Sequence, residues 1–323
     1  ALEERDLLVN NAPLATDSVG IVIPCEGIFS AGYFFAGCMI YHGLSRLLSP
    51  PDVKNLGYRF PFPRLLFGQR LKDSLPGLGS HYKYGVVTFD GQMDDSALLA
   101  QIFATCTAER PGFTPSIAMN YTRLEGFRFD EKGRIEKAVI REKTKGKLME
   151  VKVKTVVNAA GSFGDQVRHM ANPELQPVMR LSKGDHLVVD LEGILTPKRS
   201  DDYTESTITR GNTNVSESTT TSDGSLPSRD NLGSLPPASF RNKFQTSGTS
   251  GGRMGILIPR TRDGRVIFGL PWRGSTVLGT SDIEWSEPDV DPLPDASSAE
   301  QIISEVRRVC PEATLRVRAH WAG

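Results

Sequence analysis

Apolar and polar positions change their period several times along this chain. Leu2–Asn10 begins amphipathic at helical spacing, and Gly32–Leu48 reads as a second helix that stops before Pro50-Pro51. Val19–Leu48 is the most apolar stretch. Pro24, Glu26 and several glycines break it up, so a buried helix is expected rather than a membrane span, with contact to one membrane face as the lesser reading. Ser80–Phe89 reads as a strand ending in the turn Asp90-Gly91. A helix then opens at Asp94 or Asp95 and carries Leu98, Leu99, Ile102, Phe103 and Cys106 on one face.

From residue 116 the period becomes two. Ile117–Leu124, Gly126–Phe129, Ile135–Glu142 and Leu148–Val153 are expected as short strands. The turns Asp130-Glu131-Lys132-Gly133 and Lys143-Thr144-Lys145-Gly146 join them into a β-meander. The meander feeds a buried strand, Val153–Asn158, which closes at Ala159-Ala160-Gly161. A helix follows, with Ser162 as its N-cap. Strand, small-residue turn and helix N-terminus together let backbone N–H groups approach a large anion; the rival reading is an ordinary strand–helix connection.

Further strands are expected at His186–Leu191, Gly255–Pro259, Arg265–Leu270 and Thr276–Gly279. The last helix spans Ala299–Cys310, with a Ser298/Gln301 capping box and an apolar stripe of Ile302, Val306 and Val309. Residues 201–250 hold 19 Ser or Thr, too few apolar groups to offset ordering entropy, so about 198–252 is expected as a disordered surface loop.

At 323 residues the chain has room for one large or two ordinary domains. Lys+Arg and Asp+Glu balance at 38 each, which removes any global reason to expect nucleic acid. Four cysteines without metal-site spacing and five scattered histidines argue against a metal centre. Cys106 and Cys310 are expected as buried free thiols. No secretory signal peptide is expected.

Two residues stand out for chemistry. His186 follows Lys183-Gly184-Asp185, opens a strand and titrates near neutrality, which suits a general base; a purely structural histidine is the alternative. Arg265 stands at the mouth of an apolar strand, where a guanidinium can grip phosphate in bidentate fashion. It could equally be a solvated turn residue after Asp263-Gly264.

Taken in order, the runs Tyr84–Asp95 (YGVVTFDGQMDD), Val156–Gly161 (VVNAAG), Leu181–His186 (LSKGDH), Asp263–Trp272 (DGRVIFGLPW), Leu278–Asp282 (LGTSD) and Trp321–Gly323 (WAG) resemble the FAD-dependent glycerol-3-phosphate dehydrogenases, including the mitochondrial type. The resemblance covers about residues 1–197 and 253–323. The family's opening strand with its GxGxxG turn and its Arg-Pro-Leu segment after the final glycine have no counterpart here, so the chain is expected to be an internal portion of a larger enzyme.

The resemblance implies an α/β flavoprotein. Residues 1–172 would be the remainder of a three-layer, glutathione-reductase-like FAD-binding domain, helical over 1–78 with the meander at 116–153. Residues 173–323 would be an antiparallel-sheet substrate domain. It implies oxidation of sn-glycerol 3-phosphate to dihydroxyacetone phosphate with FAD as cofactor and quinone as acceptor, peripheral membrane association, and the mitochondrial inner membrane as location. It also places a functional histidine at His186. By residue chemistry Arg265 is a further catalytic candidate, and Arg265, Lys183 and Trp272 are candidates for the substrate side, with solvated surface cations and a core aromatic as the rival readings. Asn158, Ala160 and Gly161, with Leu124 or its neighbour Arg123, are assigned to the adenosine side of FAD, and Thr280 and Ser281 to its flavin side, with a simple turn as the rival. An amine or amino-acid oxidase of the wider superfamily and a non-catalytic truncated relative are the alternatives.

Overall fold

The computed structural model describes residues 2–48, 60–192 and 254–323; the Ser/Thr-rich run at about 198–252 lies outside them, as does the Pro50-Pro51 stop. The elements in order are α1 (Leu2–Asn11), β1 (Thr16–Cys25), α2 (Ile28–Leu48), β2 (Arg64–Phe67), α3 (Gln69–Ser74), β3 (Tyr84–Met93), α4 (Asp95–Thr107), β4 (Thr122–Phe129), β5 (Ile135–Glu142) and β6 (Leu148–Lys152). Then follow α5 (Gly164–Ala171), β7 (Leu181–Lys183), β8 (Asp185–Glu192), β9 (Gly255–Ile258), β10 (Ile267–Trp272), β11 (Ser275–Gly279), β12 (Ile283–Trp285), α6 (Ala296–Val309) and β13 (Thr314–Ala322). The chain is α/β, as expected, and divides into two compact units.

The first unit comprises Ala1–Gln92, Leu191–Ile256 and Val309–Leu315. Its sheet runs β9, β1, β3, β2, with β1 parallel to β9 at Ile21 and Val22 and β3 antiparallel to β2. The expectation of helix across 1–78 misses β1, where Val19, Ile21, Val22 and Ile23 are β-branched and buried. β3 continues through Asp90-Gly91 instead of turning there. Asp90 accepts from Arg5 Nη1 at 3.2 Å, while the Arg5 guanidinium sits 4.0 Å over Phe60 and also reaches Asp6 and Ser45.

The expectation that α2 is buried also fails. Ala31, His42 and Ser45 face the unit, but Tyr33, Ile40 and Leu47 are exposed and Phe29 is 92% exposed. The helix is apolar nearly all round and only one stripe of it is covered among the described residues. No helix among them is long and apolar enough to cross a membrane.

The second unit comprises Met93–Asp190, Leu257–Arg308 and Arg316–Gly323. Asp94 caps α4 by accepting from Ala97 N at 3.0 Å. The helix buries none of its residues, so Cys106 is exposed rather than buried as expected; Cys310 is fully buried. The meander β4–β5–β6 forms, but the expected strand at 117–124 begins only at Thr122, leaving Ile117–Tyr121 outside it, and it merges with the one at 126–129 into β4 across an irregularity between Leu124 and Gly126.

The expected strand Val153–Asn158 is absent. After β6 the chain carries no regular structure until a 3₁₀ turn at Gly161–Phe163, and Val157 is 83% exposed. A strand needs a pairing edge, and this run has one at its first residue only: Val153 N donates to Glu136 O of β5 at 3.0 Å, and no described strand pairs with the residues after it. The helix starts at Gly164, and Ser162 makes no capping bond. The remaining strands run in the order β13, β8, β11, β10, with β8–β11 and β11–β10 antiparallel; β12 pairs with β7.

Candidate active site

Along β8, Asp185, Leu187 and Val189 are buried while His186 and Val188 are half-buried. His186 pairs with Gly279 of β11. A Cβ on Gly279 would stand 2.5 Å from His186 Cδ2, so glycine is what lets the imidazole lie there. On its other side Gly184 and Gly323 exchange both backbone hydrogen bonds, at 2.8 and 3.0 Å. That antiparallel register brings Trp321 beside His186, and the two rings stack at 4.2 Å with planes 11° apart. The Nδ1 atom is buried without a hydrogen bond of full geometry. Burial pushes the His186 pKa down; the Gly184 backbone and the Asp185 charge oppose this and do not overcome it.

Asp185 has no exposed surface. Its Oδ1 accepts from Asp295 N at 3.0 Å and its Oδ2 from Ser281 Oγ at 3.1 Å, and Ser298 donates as well. His320 Nε2 lies 3.3 Å from Oδ1. The carboxylate thus sits at the start of α6, where the free N–H groups and the positive end of the helix favour negative charge. Those bonds keep its pKa below the usual carboxylate range in spite of burial, which alone would raise it. Asp295 opens α6 by bonding Ser297 N and Oγ, in place of the expected Ser298 cap.

Arg265 lies in the turn before β10, two residues earlier than the strand itself, in contrast to the expected strand start. Its Nε donates to Asp263 Oδ2 at 2.8 Å, its Nη2 contacts the same carboxylate and donates to Gln301 Oε1 at 2.8 Å. This grip holds the Asp263 pKa far below the ordinary range. Arg265, Thr280 and Ser281 line one small recess with Ser298, Gln301 and Ile302. Ser281 is committed, donating to Asp185 and accepting from its N–H at 2.7 Å; Thr280 Oγ1 donates to Ser281 O at 2.7 Å.

Lys183 lines a second cavity of about 70 Å³ with Ser162, Trp285, Asp289 and Gly323. It is 5% exposed, donates from Nζ to Leu293 O at 2.8 Å and lies 4.8 Å over the Trp285 ring. The Asn158 corner stands open to solvent: Asn158 Nδ2 donates to Gly164 O at 2.9 Å and its Oδ1 accepts from Ala160 N at 3.2 Å. Gly161 has φ 54° and nothing near its missing side chain. Leu124 is half-buried in β4, paired with Ile140, and Trp272 ends β10 with the Arg273 guanidinium 5.5 Å from its ring.

The structure therefore gathers His186, Thr280 and Ser281 around the β8–β11 end, with Arg265 in the adjoining recess. Lys183 is placed in the second cavity, which Ser162 joins to the Asn158–Gly161 corner. Sequence reasoning missed Asp185, Gly279 and Trp321. The alternation of Leu315, Val317, Ala319 and Trp321 with Arg316, Arg318 and His320 was the available sign of β13.

The pattern of FAD dependent oxidoreductase domains, abbreviated DAO, matches residues 42–226, more than half of the chain. The chain belongs to the FAD dependent oxidoreductase family. It is 27% identical over 337 residues to the probable mitochondrial glycerol-3-phosphate dehydrogenase of Dictyostelium discoideum, covering 100% of this chain and 41% of that protein. It is 26% identical over 330 residues to the mitochondrial glycerol-3-phosphate dehydrogenase of Saccharomyces cerevisiae, covering 100% and 43%. The chain thus spans about two fifths of the length of these relatives.

Among solved structures it resembles the glycerol-3-phosphate dehydrogenase of Bacillus halodurans complexed with FAD, at TM-score 0.63 and 20% identity over 99% of this chain and 46% of that one. L-proline dehydrogenase from P. horikoshii follows at TM-score 0.57 and 13% identity, over 100% and 65%. These likenesses show a shared fold. FAD is the cofactor of this family, and the exposed, side-chain-poor backbone from Asn158 to Gly161 fits the close approach of a dinucleotide.

Proposed function

We propose that this chain is part of an enzyme that oxidises sn-glycerol 3-phosphate to dihydroxyacetone phosphate, with His186 as general base. The observation that carries this is the half-buried imidazole beside Gly279 and Trp321, whose lowered pKa keeps it neutral and ready to accept a proton. With Nδ1 buried, Nε2 takes the C2 hydroxyl proton. Bound FAD supplies the hydride acceptor.

The backbone of Asn158, Ala160 and Gly161, with Leu124 nearby in this reading, would hold the adenosine end of FAD, and Thr280 and Ser281 would face its flavin end. Arg265 would bind the substrate phosphate through the donors its bonds to Asp263 and Gln301 leave over. Trp272 would wall the pocket, and Lys183, already bonded to Leu293, would contribute positive charge more than contact. Residues 1–172 then serve the FAD lobe and 173–323 the substrate lobe. Quinone as electron acceptor, peripheral membrane association and a mitochondrial inner-membrane location complete the proposal; the relatives' names support the mitochondrial part.

Adding glycerol 3-phosphate anaerobically to the FAD-loaded protein tests this. Bleaching of the flavin band by glycerol 3-phosphate, and not by glycine or L-proline, is the expected result. Bleaching by the amino acids alone would replace the proposal with an amine-oxidase reading, and a protein that takes up no flavin would leave the non-catalytic one.

A further inference from the structure

We propose that Trp321 and Gly279 are positioning residues for His186, a flat clamp that fixes the imidazole plane and keeps water from one of its faces. The proposal rests on the reading of His186 as base and extends it. Three observations converge on the clamp. The indole stacks on the imidazole at 4.2 Å and 11°. Gly279 approaches His186 so closely that any side chain there would overlap Cδ2 and crowd Nε2, at 2.5 and 3.0 Å from the added atom. Gly184 stands beside the Cε1 edge: a Cβ built there would lie 3.6 Å from that atom, in ordinary contact, and would overlap Thr280 Oγ1.

The clamp is anchored from both ends. The paired Gly184–Gly323 hydrogen bonds fix the level of Trp321 against His186. One residue back on each strand, His320 Nε2 meets Asp185 Oδ1 at 3.3 Å. Asp185 in turn is bonded to Asp295 N, Ser281 and Ser298. Neighbouring residues of the same two strands thus carry a ring stack and a close His320–Asp185 contact.

The groups around the imidazole make its ionisation a readout of the clamp. From β8 the charged neighbour is Asp185, which favours the protonated ring. β11 contributes Gly279 and the residue after it Thr280, which carry no charge, and β13 contributes the Trp321 indole while His320 turns to Asp185. Desolvation outweighs the Asp185 charge. Removing the indole admits water to one ring face and should let the histidine titrate nearer its ordinary value.

The test is an NMR titration of ¹⁵N-histidine-labelled protein, following His186 in the parent, Trp321→Phe and Trp321→Leu, with His186→Gln to assign the signal. The pKa should rise by about half a unit or more in Trp321→Leu and stay near the parent value in Trp321→Phe, which keeps a planar ring. Flavin reduction by glycerol 3-phosphate should slow about tenfold in the leucine variant and recover in phenylalanine, since a displaced base loses its alignment. An unchanged His186 pKa in Trp321→Leu, or equal shifts in both variants, overturns the clamp. The titration needs no turnover, so a protein inactive on glycerol 3-phosphate would defeat the functional reading while leaving the clamp to be judged by its own result.

Discussion

Gly279 and His186 meet across the β8–β11 ladder with no space for a side chain between them: a Cβ on Gly279 would stand 2.5 Å from the imidazole Cδ2. Gly279→Ala therefore forces the ring or the strand to move. We expect a loss of about 1–3 kcal/mol in stability, the usual range for an overpacked position, and at least about tenfold slower flavin reduction from the misplaced base. Thermal melts and stopped-flow absorbance on the same preparation check both.

The pH dependence follows from His186. Only the neutral imidazole accepts a proton, and burial lowers its pKa. Activity with glycerol 3-phosphate should therefore be level around pH 7 and fall on acidification only below the ordinary histidine range. Stability moves the same way. A group whose folded pKa is depressed stabilises the fold above its unfolded value and loses that contribution as pH drops through the folded one. A kcat/KM profile with its acid limb above pH 6.5 or so, the ordinary histidine value, would contradict this.

Asp185 gives a second, lower window. Its carboxylate is fully buried, accepts from Asp295 N, Ser281 and Ser298, and has a pKa below the ordinary range. Its stabilisation should be complete above the usual aspartate pKa and be lost as pH falls on through the depressed folded value. Asp185→Asn removes the charge but keeps the shape, and should cost about 2–3 kcal/mol, the scale of hydrogen bonds to a charged group. Denaturant melts at neutral pH measure the loss.

The thiols separate by environment. Burial pushes the Cys310 pKa up to about 12 and the Cys25 pKa to about 11, whereas Cys106 is exposed. Native protein treated with a thiol-specific chromogenic disulfide should modify Cys106 first, with Cys25 and Cys310 reacting only after denaturation. Peptide mapping of the labelled protein identifies the order.

What the sequence disclosed was local. The Asp94 cap needs only a carboxylate three residues before an N–H. The meander needs only period-two strands and two good turns. The stripe of Ile302, Val306 and Val309 is buried as its spacing implies. The place of His186 at the head of a strand was legible. The failures concern partners distant along the chain. Val153–Asn158 has the composition of a strand but bonds the edge of β5 only through Val153, and the apolar faces of α2 and α4 have no described cover. Asp185 looked like one more polar residue before a strand; only the fold brings α6, Ser281 and His320 to it. Arg265 was marked for its charge, but no spacing rule reveals that Asp263 and Gln301 already hold it.

The account turns on His186 taking the substrate's hydroxyl proton, and the most direct test is single-turnover flavin reduction by glycerol 3-phosphate in the parent and in His186→Asn, with FAD affinity measured alongside. The predicted result is reduction slowed by about 10²–10⁴-fold, the usual contribution of a general base, with FAD binding unchanged. Reduction at the parent rate in the asparagine variant would contradict it.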